Sequence, residues 1–555
     1  MKKTVIIGGM AAGCKAAARL KRVSPDSDVT IIEKNSLVSF GSCGMPFYAS
    51  GDIDNFYDLT KTPYGMIRDA DFFEFVKDIN VLTECEVTSI DHTHKSVSYK
   101  NLKTGDTDSA EYDSLVIGTG ATPFVPAIPM PETDKISTFH NPFDAKKFRE
   151  LAQTGKIKSV AIIGGGFIGC ELAEATVAMW GIETHIIELC DRLLPKSYDK
   201  EMSLIIEKHM ASNNIDLKLS TKVSEIKLSD EGNPIVILDS DDSLSVDYVF
   251  LCAGVRPQTK LAESIGCEIG TLGGLKVDEQ LRTSVEGVWA GGDCIEVNNM
   301  IDGSPAFFPL GSLANRQGRV IADSIAGRDC AFKGAIGSSS IQVFDLISAS
   351  AGLTEDEALK NHPDTKAVWG SWYDRPDYMP QYQNLFGKLI YDSVTLKLYG
   401  LQLSGKGEVS RYIDAFSAIA SSEATVQDLI DFEHAYTPPH SGPMNPLNSL
   451  GAIAFSQSID GIKSINPMEV EHFDGQIIDV REPAEAADDP LEKDNRNISV
   501  ADITLHIEEF DKSKPVLIVC QKGPRAYETA RLFMNAGYKN VFFSGGGMQL
   551  ASIVI

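Results

Sequence analysis

The sequence predicts an α/β protein of several domains, and three observations support this fold class. At 555 residues the chain is too long for one hydrophobic core, and 43% of its residues are hydrophobic, enough for several cores. Residues 4–33 and 159–188 each show the same order of strand, glycine-rich turn, helix and strand. Beyond residue 331, strands and amphipathic helices follow one another without such turns. We therefore expect two similar α/β domains followed by domains of a different kind.

The first unit contains a dinucleotide-binding fingerprint in its expected context. A β-branched strand leads into the turn at residues 8–13 (GGMAAG), and a second strand ends at Glu33. Gly8 permits the tight turn and Gly13 lets the helix approach the sheet, while Glu33 is placed to accept from a ribose hydroxyl. Met10 replaces the middle glycine, and its side chain restricts how the backbone approaches a pyrophosphate. The predicted cofactor contacts of this turn are Gly8, Gly9, Met10, Ala11 and Gly13.

The second unit repeats the plan with a complete G-x-G-x-x-G turn, GGGFIG, at residues 164–169. Two fingerprints in one chain indicate two bound dinucleotides. The strand after the second helix ends at Glu188, whose carboxylate would bond ribose hydroxyls and repel a 2′-phosphate. The sequence thus favours NADH, with NADPH left possible, and Phe167 is a candidate gate for the nicotinamide. The predicted contacts here are Gly164, Gly166, Phe167, Ile168 and Gly169.

A further glycine turn follows the strand that ends each dinucleotide-binding unit. Leu115–Ile117 is predicted as one such strand, and residues 246–257 mirror it. Residues 286–294 (EGVWAGGDC) then place Asp293 after a strand and a glycine turn, where it suits the ribityl chain of a flavin. The alternative interpretation of Asp293 is an ordinary turn residue.

Cys43 lies just past the first unit in the stretch SFGSCGMPFY, residues 39–48. It has no partner in a C-x4-C pair, and no C-x-x-C occurs in the chain. A lone redox cysteine has to form a mixed disulfide or persulfide with its substrate, or become a sulfenate. To act as a thiolate it also needs a positive environment or a redox partner next to it. The alternative is a buried structural cysteine.

The helix after the first turn carries Lys15, Arg19 and Arg22 within an arc of about 60°. These cations form either a solvated basic face or a clamp for phosphate groups. The net charge of −26 argues against nucleic acid or an anionic membrane as a partner, so an anionic substrate would need such a local patch. Ten scattered cysteines without framework spacing indicate reduced thiols in a cytoplasmic protein. No transmembrane segment of about 18 apolar residues is present, and no metal is expected.

Residues 1–455 resemble the two-dinucleotide flavoprotein reductases with a single active-site cysteine. The branch they resemble comprises coenzyme A-disulfide reductase and its relatives NADH oxidase and NADH peroxidase. The matching motifs are GGMAAG, SFGSCGMPFY, GTGATP, GGGFIGCE, AGVRP, GGDC, PLGSLANRQGR and HAYTPP. The resemblance implies FAD on the first fingerprint, NAD(P)H on the second, and Cys43 as the redox nucleophile. Further cofactor contacts that it implies are Val87, Thr119, Gly120, Gly254, Gly292 and Asp293.

The same resemblance implies a substrate site and a dimer. The residues implied to contact coenzyme A are Lys15, Arg19, Arg22, Ser39, Ser42 and Asn315. Tyr436 matches a tyrosine that one subunit contributes to its partner's active site. The family's Y-Y-P segment corresponds to residues 377–380 (DYMP), where Tyr378 is kept and the other tyrosine is lost.

Residues 465–555 resemble a rhodanese domain, on the motifs QIIDVREPAE, CQKGPR and FFSGGG. The loop of the sulfur-carrying Cys520 comprises Gln521, Lys522, Gly523, Pro524 and Arg525. Its amides, Arg525 and the following helix N-terminus are expected to lower the pKa of Cys520 and stabilise a persulfide. Pro524 removes one amide donor. The middle section is shortened and the tryptophan after the last glycines is missing. These departures leave open the alternative that the domain is degenerate and serves only as a packing module.

The expected domains are an FAD-binding domain, an NAD-binding domain, an α+β dimerisation domain and the rhodanese domain. Their boundaries are residues 1–115 with 250–330, residues 116–249, residues 331–455 and residues 465–555, in that order. The expected activity is NADH-dependent reduction of sulfane sulfur, as coenzyme A persulfide, polysulfide or coenzyme A disulfide, by a homodimer. The alternatives are an NADH oxidase or peroxidase working through a Cys43 sulfenate, and a redox-sensing binding module.

Overall fold

A computed structural model describes the protein over residues 1–555, which divide into two compact units. The first unit comprises Met1–Ile187 and Thr221–Ala335, and the second comprises Glu188–Ser220 and Ile336–Ile555. No helix has the length and apolar character needed to cross a lipid bilayer.

The first unit contains a five-stranded parallel sheet with the first strand of the chain at its centre. Its strands, in spatial order, are Val288–Ala290, Ser114–Ile117, Lys3–Ile7, Asp28–Ile32 and Asn80–Leu82. Val5, Ile6 and Ile7 are buried in a core that also contains residues of the helix Ala11–Val23 and of the antiparallel strand Cys85–Asp91. The strands predicted near residues 4–7, 29–32 and 115–117 are confirmed to within one residue.

The second fingerprint lies in another parallel sheet of the same unit. Its neighbouring strands within the unit are Glu183–Ile187, Ser159–Ile163, Tyr248–Leu251 and Ile136–Ser137. Parallel neighbours need a crossover connection, which the helix Phe167–Ala178 supplies between the first two strands. The predicted repeat of the strand–turn–helix–strand plan is therefore confirmed.

Smaller elements complete the first unit. Its other helices are Ala11–Val23, Met45–Ser50, Ala70–Lys77, Pro142–Gln153, Lys260–Glu263 and Gly311–Ile325, with 3₁₀ turns at Ser42–Gly44 and Phe56–Thr60. Its antiparallel strands are Cys85–Asp91, Ser96–Asn101 and Thr107–Glu111, then Val223–Leu228, Pro234–Leu238 and Ser243–Ser245. Two strand pairs, Ala121–Pro123 with Val255–Pro257 and Val297–Asn298 with Pro305–Ala306, are also present.

The second unit is built on a five-stranded antiparallel sheet. Its spatial order is Ser339–Val343, Leu346–Gly352, Leu398–Gly405, Asn384–Asp392 and Thr365–Tyr373. The sequence located only parts of it, because strands buried on both faces, such as Asn384–Asp392, lack the alternation that marks a half-exposed strand. The accompanying helices are Glu355–Asn361, Ser410–Ala420, Val426–Ile430 and Pro446–Phe455.

Residues 188–220, which the sequence assigned to the NAD-binding domain, pack within the second unit. This segment contains the helix Lys200–Ser212 and the strand Ile215–Lys218. The Lys388 ammonium, buried in the antiparallel sheet, lies 2.7 Å from Glu201 Oε1 and 3.0 Å from Asp199 Oδ2. These buried ion pairs hold the segment against the sheet.

The C-terminal domain is a parallel sheet flanked by helices. Its strands, in spatial order, are Lys463–Ile465, Val541–Ser544, Val516–Val519, Gln476–Asp479 and Arg496–Asn497. Its α-helices are Pro483–Asp488, Pro524–Asn535 and Gly547–Val554, with 3₁₀ turns at Pro467–His472, Ile503–Leu505 and Ile507–Glu509. The predicted connection, residues 437–464, contains the buried helix Pro446–Phe455 and a π-helical turn at Ser456–Asp460, so part of it packs on the core as predicted.

Candidate active site

The turn of the first fingerprint is held by close backbone contacts. Gly8 has φ +106°, and a Cβ at this position would lie 2.1 Å from the Gly118 carbonyl oxygen. The Gly9 amide donates to Glu33 Oε2 at 2.7 Å, which brings the predicted ribose acceptor to the turn. Met10 has φ −99°, a conformation open to any residue, so the turn forms without the middle glycine. No side chain caps the following helix, and its first amides remain available to a phosphate.

The turn of the second fingerprint leaves a space that no neighbouring protein atom fills and that a ligand could occupy. Gly164 has φ +116°, and a Cβ there would lie 2.4 Å from the Cys252 carbonyl oxygen. A Cβ at Gly166, in contrast, would meet no protein atom within 4 Å. Gly166 also begins the helix, again without a side-chain cap. This open space beside free amides fits a pyrophosphate.

The remaining residues predicted to contact NAD lie around this turn and after the neighbouring strand. Phe167 is half-buried and Ile168 is exposed at the first turn of the helix. Glu188 directly follows the strand Glu183–Ile187, and its Oε1 accepts from the Cys190 amide at 2.8 Å. Glu188 therefore occupies the acidic position at the end of the second strand that the fingerprint requires.

Most of the residues predicted at the flavin lie on loops at the carboxyl ends of strands. The turn after Ser114–Ile117 includes Thr119, whose Oγ1 donates to the Gln258 carbonyl at 2.6 Å. Gly120, Gly254 and Gly292 all have positive φ, between 68° and 101°. Asp293 follows Gly292, whereas Val87 is buried within the strand Cys85–Asp91. Ligands in open α/β sheets bind at such carboxyl ends.

Cys43 lies in the 3₁₀ turn Ser42–Gly44, ahead of the helix Met45–Ser50. The residue is exposed, but partial burial of its thiol raises the pKa, and the carboxylates of Glu171 and Asp293 raise it further. The Ser42 side chain, by a hydrogen bond, opposes this rise. The sequence predicted a positive environment for Cys43. Within the chain its charged neighbours are instead acidic, because the topology brings the second fingerprint helix and the Asp293 turn to this point.

Glu171 is a site residue that the sequence prediction missed. Burial and the nearby Glu174 raise its pKa to about 7, and burial raises the pKa of Asp293 to about 6. The signal was present in the GGGFIGCE motif, where Glu171 follows the last glycine by two residues. Two acids that titrate near neutral pH beside a nucleophile are typical of a catalytic site.

The three predicted cations of the first helix differ in their surroundings. Lys15 and Arg22 are exposed, whereas the Arg19 guanidinium contacts Asp323 with Nε to Oδ1 at 2.9 Å. Arg19 is therefore not a free member of a three-residue clamp, because a phosphate would have to compete with Asp323. Asn315 is exposed on the helix Gly311–Ile325, which packs closely against the Lys15 helix at Gly318.

The two candidate serines lie on either side of the cysteine turn. Ser39 has φ +52°, and its amide donates to the Gly9 carbonyl at 2.8 Å. This bond ties the Cys43 stretch to the first fingerprint. Ser42 begins the turn and is exposed.

The two candidate tyrosines form a pair on the surface of the second unit. Tyr378 and Tyr436 are 69% and 47% exposed, and a hydrogen bond between their hydroxyls raises the pKa of Tyr378. Tyr378 lies in the loop between the strands Thr365–Tyr373 and Asn384–Asp392. Their exposure leaves both hydroxyls accessible to another molecule.

Cys520 lies at the bottom of a loop of backbone amides. The residue is 1% exposed, and its sulfur accepts from the amides of Gly523 at 3.1 Å and Ala526 at 3.2 Å. Burial raises the pKa of Cys520 overall, while these amides, the Lys522 amide and Arg525 lower it. The prediction of a lowered pKa is thus wrong in its net direction, although the predicted amide cradle is present. Gln521 Oε1 accepts from Arg481 Nη1 at 3.4 Å.

Comparison with known proteins assigns each part of the chain. Residues 2–312 match the family of pyridine nucleotide-disulphide oxidoreductases, residues 338–446 match the dimerisation domain of that family, and residues 466–551 match the rhodanese-like domain. These matches agree with the predicted fold class. The family uses FAD and NAD(P)H, and the dimerisation domain indicates a homodimer.

Named relatives extend this result. The chain is 34% identical over 454 residues to an NAD(P)H sulfur oxidoreductase (CoA-dependent) of Pyrococcus abyssi, covering 82% of this chain and 98% of the relative. It is similar to an NAD-dependent persulfide reductase structure from A. fulgidus, with 34% identity, TM-score 0.93 and 99% of each chain covered. A reduced Bacillus anthracis CoADR-RHD structure shows 31% identity and TM-score 0.93, covering 100% of this chain and 98% of its own. NADH oxidases occur among the relatives at lower identity.

With both fingerprints, the Cys43 turn and the matched domains in one chain, the protein belongs to the pyridine nucleotide-disulphide oxidoreductase family and carries a rhodanese-like domain at its C-terminus.

Proposed function

We propose that this enzyme reduces sulfane sulfur with NADH and that Cys43 is its nucleophile. The sulfur is carried as a persulfide on coenzyme A, as polysulfide, or in coenzyme A disulfide. The observation that carries the proposal is the exposed single Cys43 turn, tied to the first fingerprint, in a chain that also holds the Cys520 cradle. A second thiol built to hold sulfur has no use in an enzyme that reduces only oxygen.

The Cys43 thiolate attacks the outer sulfur of a coenzyme A persulfide. The donor S–S bond breaks, the coenzyme A thiolate leaves, and Cys43 retains the transferred sulfur as a persulfide. FAD, when bound, supplies the two electrons from NADH that release this sulfur as sulfide. Ser42 favours the attacking thiolate by hydrogen bonding, whereas the acidic neighbours oppose it.

Several finer features belong to the proposal. Glu188 selects NADH, and Lys15, Arg22 and Asn315 contact the coenzyme A portion of the substrate. Tyr436 of each subunit serves the partner's Cys43, so the active form is a dimer. Cys520 collects sulfur and passes it, directly or through coenzyme A, to Cys43. Ten free cysteines suit a reducing compartment, and we place the reaction in the cytoplasm.

The deciding experiment compares NADH oxidation with coenzyme A persulfide and with oxygen as acceptor. The persulfide should give the faster turnover, and Cys43→Ala should abolish it while leaving FAD bound and reducible by NADH. Cys520→Ala is the matched control, because it should leave turnover of preformed coenzyme A persulfide nearly intact. Faster turnover on oxygen would instead support an NADH oxidase acting through a Cys43 sulfenate.

A further inference from the structure

The cations around Cys520 are all engaged by other groups. Arg525, at the end of the sulfur-carrier loop, donates from Nη1 and Nη2 to the two carboxylate oxygens of Glu485 at 2.7 and 2.8 Å. The guanidinium lowers the pKa of Glu485 to about 2, so the pair stays charged across the working pH range. The positive charge of Arg525 is therefore neutralised by Glu485, a residue outside the loop.

The second cation, Arg481, is fully buried. Its Nε and Nη2 donate to Asp479 at 3.0 and 2.8 Å, and its Nη1 lies 3.7 Å from Asp489 Oδ2. Its contact with the loop is the 3.4 Å hydrogen bond to Gln521. Arg481 thus supports the loop without offering it an unpaired charge.

The third cation, Lys522, points toward the five-stranded antiparallel sheet of the second unit. Its ammonium lies over the ring of Tyr373, which contacts Tyr382 with ring centroids 4.3 Å apart. Burial lowers the pKa of Lys522 to about 8, opposed by Asp377. The loop is left to bind its donor through backbone amides, and Pro524 contributes none of them.

We propose that Cys520 takes its sulfur from alkyl persulfides and discriminates against thiosulfate. This proposal rests on the proposed function, for which it names the donor of the rhodanese-like domain. Thiosulfate carries two negative charges on a compact group, and sulfite leaves with both of them. An alkyl persulfide brings one negative charge, located on the sulfur that is transferred. With Arg525 and Arg481 in ion pairs and Lys522 over the Tyr373 ring, the loop amides are sufficient for the second donor and poor for the first.

Both reactions have the same form at Cys520. Its thiolate attacks the outer sulfur, the donor S–S bond breaks, and Cys520 becomes a persulfide. With an alkyl persulfide the leaving group is the alkyl thiolate, and with thiosulfate it is sulfite. In each case a sulfur atom at the sulfane oxidation level is transferred and the leaving group takes the bonding electron pair, so no external oxidant or reductant is needed.

The test follows sulfur loading of Cys520 in the full-length holoenzyme without NADH. Cysteine persulfide or thiosulfate is added, and the modified Cys520 peptide is quantified by mass spectrometry over time. The wild type should load at least about tenfold faster from cysteine persulfide, the ratio expected for one charged hydrogen bond. Glu485→Gln, which releases Arg525, should raise loading from thiosulfate about fivefold or more and change persulfide loading less than about twofold.

Glu482→Gln is the matched control, because Glu482 acts on Arg525 only through space and does not hydrogen-bond to it. Its loading rate from thiosulfate should rise clearly less than that of Glu485→Gln. Equal wild-type loading from the two donors, or no gain with thiosulfate in a Glu485→Gln protein that still loads from persulfide, would overturn the proposal. If Glu485→Gln fails to fold and loads from neither donor, the wild-type ratio alone decides. The readout does not involve Cys43, so a failure here is distinct from a failure of NADH-dependent reduction.

Discussion

Arg19 and Asp323 form a largely buried ion pair between two packed helices, with Nη2 of Arg19 2.8 Å from Oδ1 of Asp323. Their side chains are 20% and 10% exposed. The pair gives Arg19 a structural role in addition to the substrate contact implied by the family resemblance, whereas Arg22 has no such partner on the neighbouring helix. The two arginines can therefore be separated by experiment.

Arg22→Ala should raise the KM for coenzyme A substrates and leave the thermal unfolding midpoint unchanged. Arg19→Ala should lower that midpoint, because the part-buried Asp323 would keep only Arg319 at 3.8 Å, and losing its charged hydrogen bonds costs about 1–3 kcal/mol. Turnover of inorganic polysulfide, which has no phosphates to hold, serves as the control and should change little with Arg22→Ala. Equal losses on both substrates would show that the helix face is structural.

Glu188→Ala should remove the preference for NADH over NADPH. The expected change in the ratio of the two kcat/KM values corresponds to about 1–3 kcal/mol, because a charged hydrogen bond to ribose and a repulsion of the 2′-phosphate are both lost. Glu183→Ala, at an exposed position on the same strand, is the control and should keep the wild-type ratio. A wild-type enzyme that uses NADPH as well as NADH contradicts the assignment of Glu188.

Glu171→Gln should shift the ionisation of Cys43 to lower pH. A carboxylate near a thiol disfavours the thiolate, so removing its charge lowers the pKa of Cys43. Since the pKa of Glu171 is itself about 7, the shift should appear above neutral pH, where wild-type Glu171 is charged. The measurement is the pH dependence of iodoacetamide alkylation of Cys43 in NADH-reduced enzyme, quantified on its peptide.

Glu174→Gln provides a control of opposite sign for that experiment. Glu174 raises the pKa of Glu171, so its removal should leave Glu171 more ionised and move the Cys43 profile slightly upward. Identical shifts in both variants would mean that the total charge of the helix Phe167–Ala178, and not Glu171 in particular, controls the pKa of Cys43.

Lys388→Met should destabilise the second unit strongly. Asp199 and Glu201 would remain buried without their cation, and breaking such a buried pair costs about 3–5 kcal/mol. Differential scanning calorimetry should show the unfolding transition at a lower temperature. Adding Glu201→Gln to Lys388→Met should restore part of the lost stability. Lys366→Met, exposed on the neighbouring strand, should have little effect. An unchanged transition in Lys388→Met would show that the cluster adds no stability.

The enzyme should be active only as a dimer if Tyr436 serves the partner's Cys43. Tyr436→Phe should lower kcat while leaving the dimer intact, because only the hydroxyl is removed. Tyr57→Phe, at another exposed tyrosine, is a suitable control. Analytical ultracentrifugation and activity at nanomolar concentration provide the check, and a fully active monomer would contradict the prediction.

The sequence by itself determined the two dinucleotide turns, the Cys43 turn, the Cys520 loop and the family to which they point. These features are local, because a tight turn, a helix N-terminus and a strand end depend on residues within about one strand–helix unit. The same spacing also located Glu33, whose contact with the Gly9 amide the structure shows. The predicted fold class and family were confirmed for this reason.

Only the tertiary structure decided which charges meet. Arg19 and Asp323 are 304 positions apart in the chain, and Lys388 meets Glu201 across 187 positions. The acidic surroundings of Cys43 arise in the same way, from Glu171 and Asp293 on elements that are distant in sequence. Local patterns carry no information about such pairs, because packing of the sheets and helices sets the distances on which electrostatic energies depend.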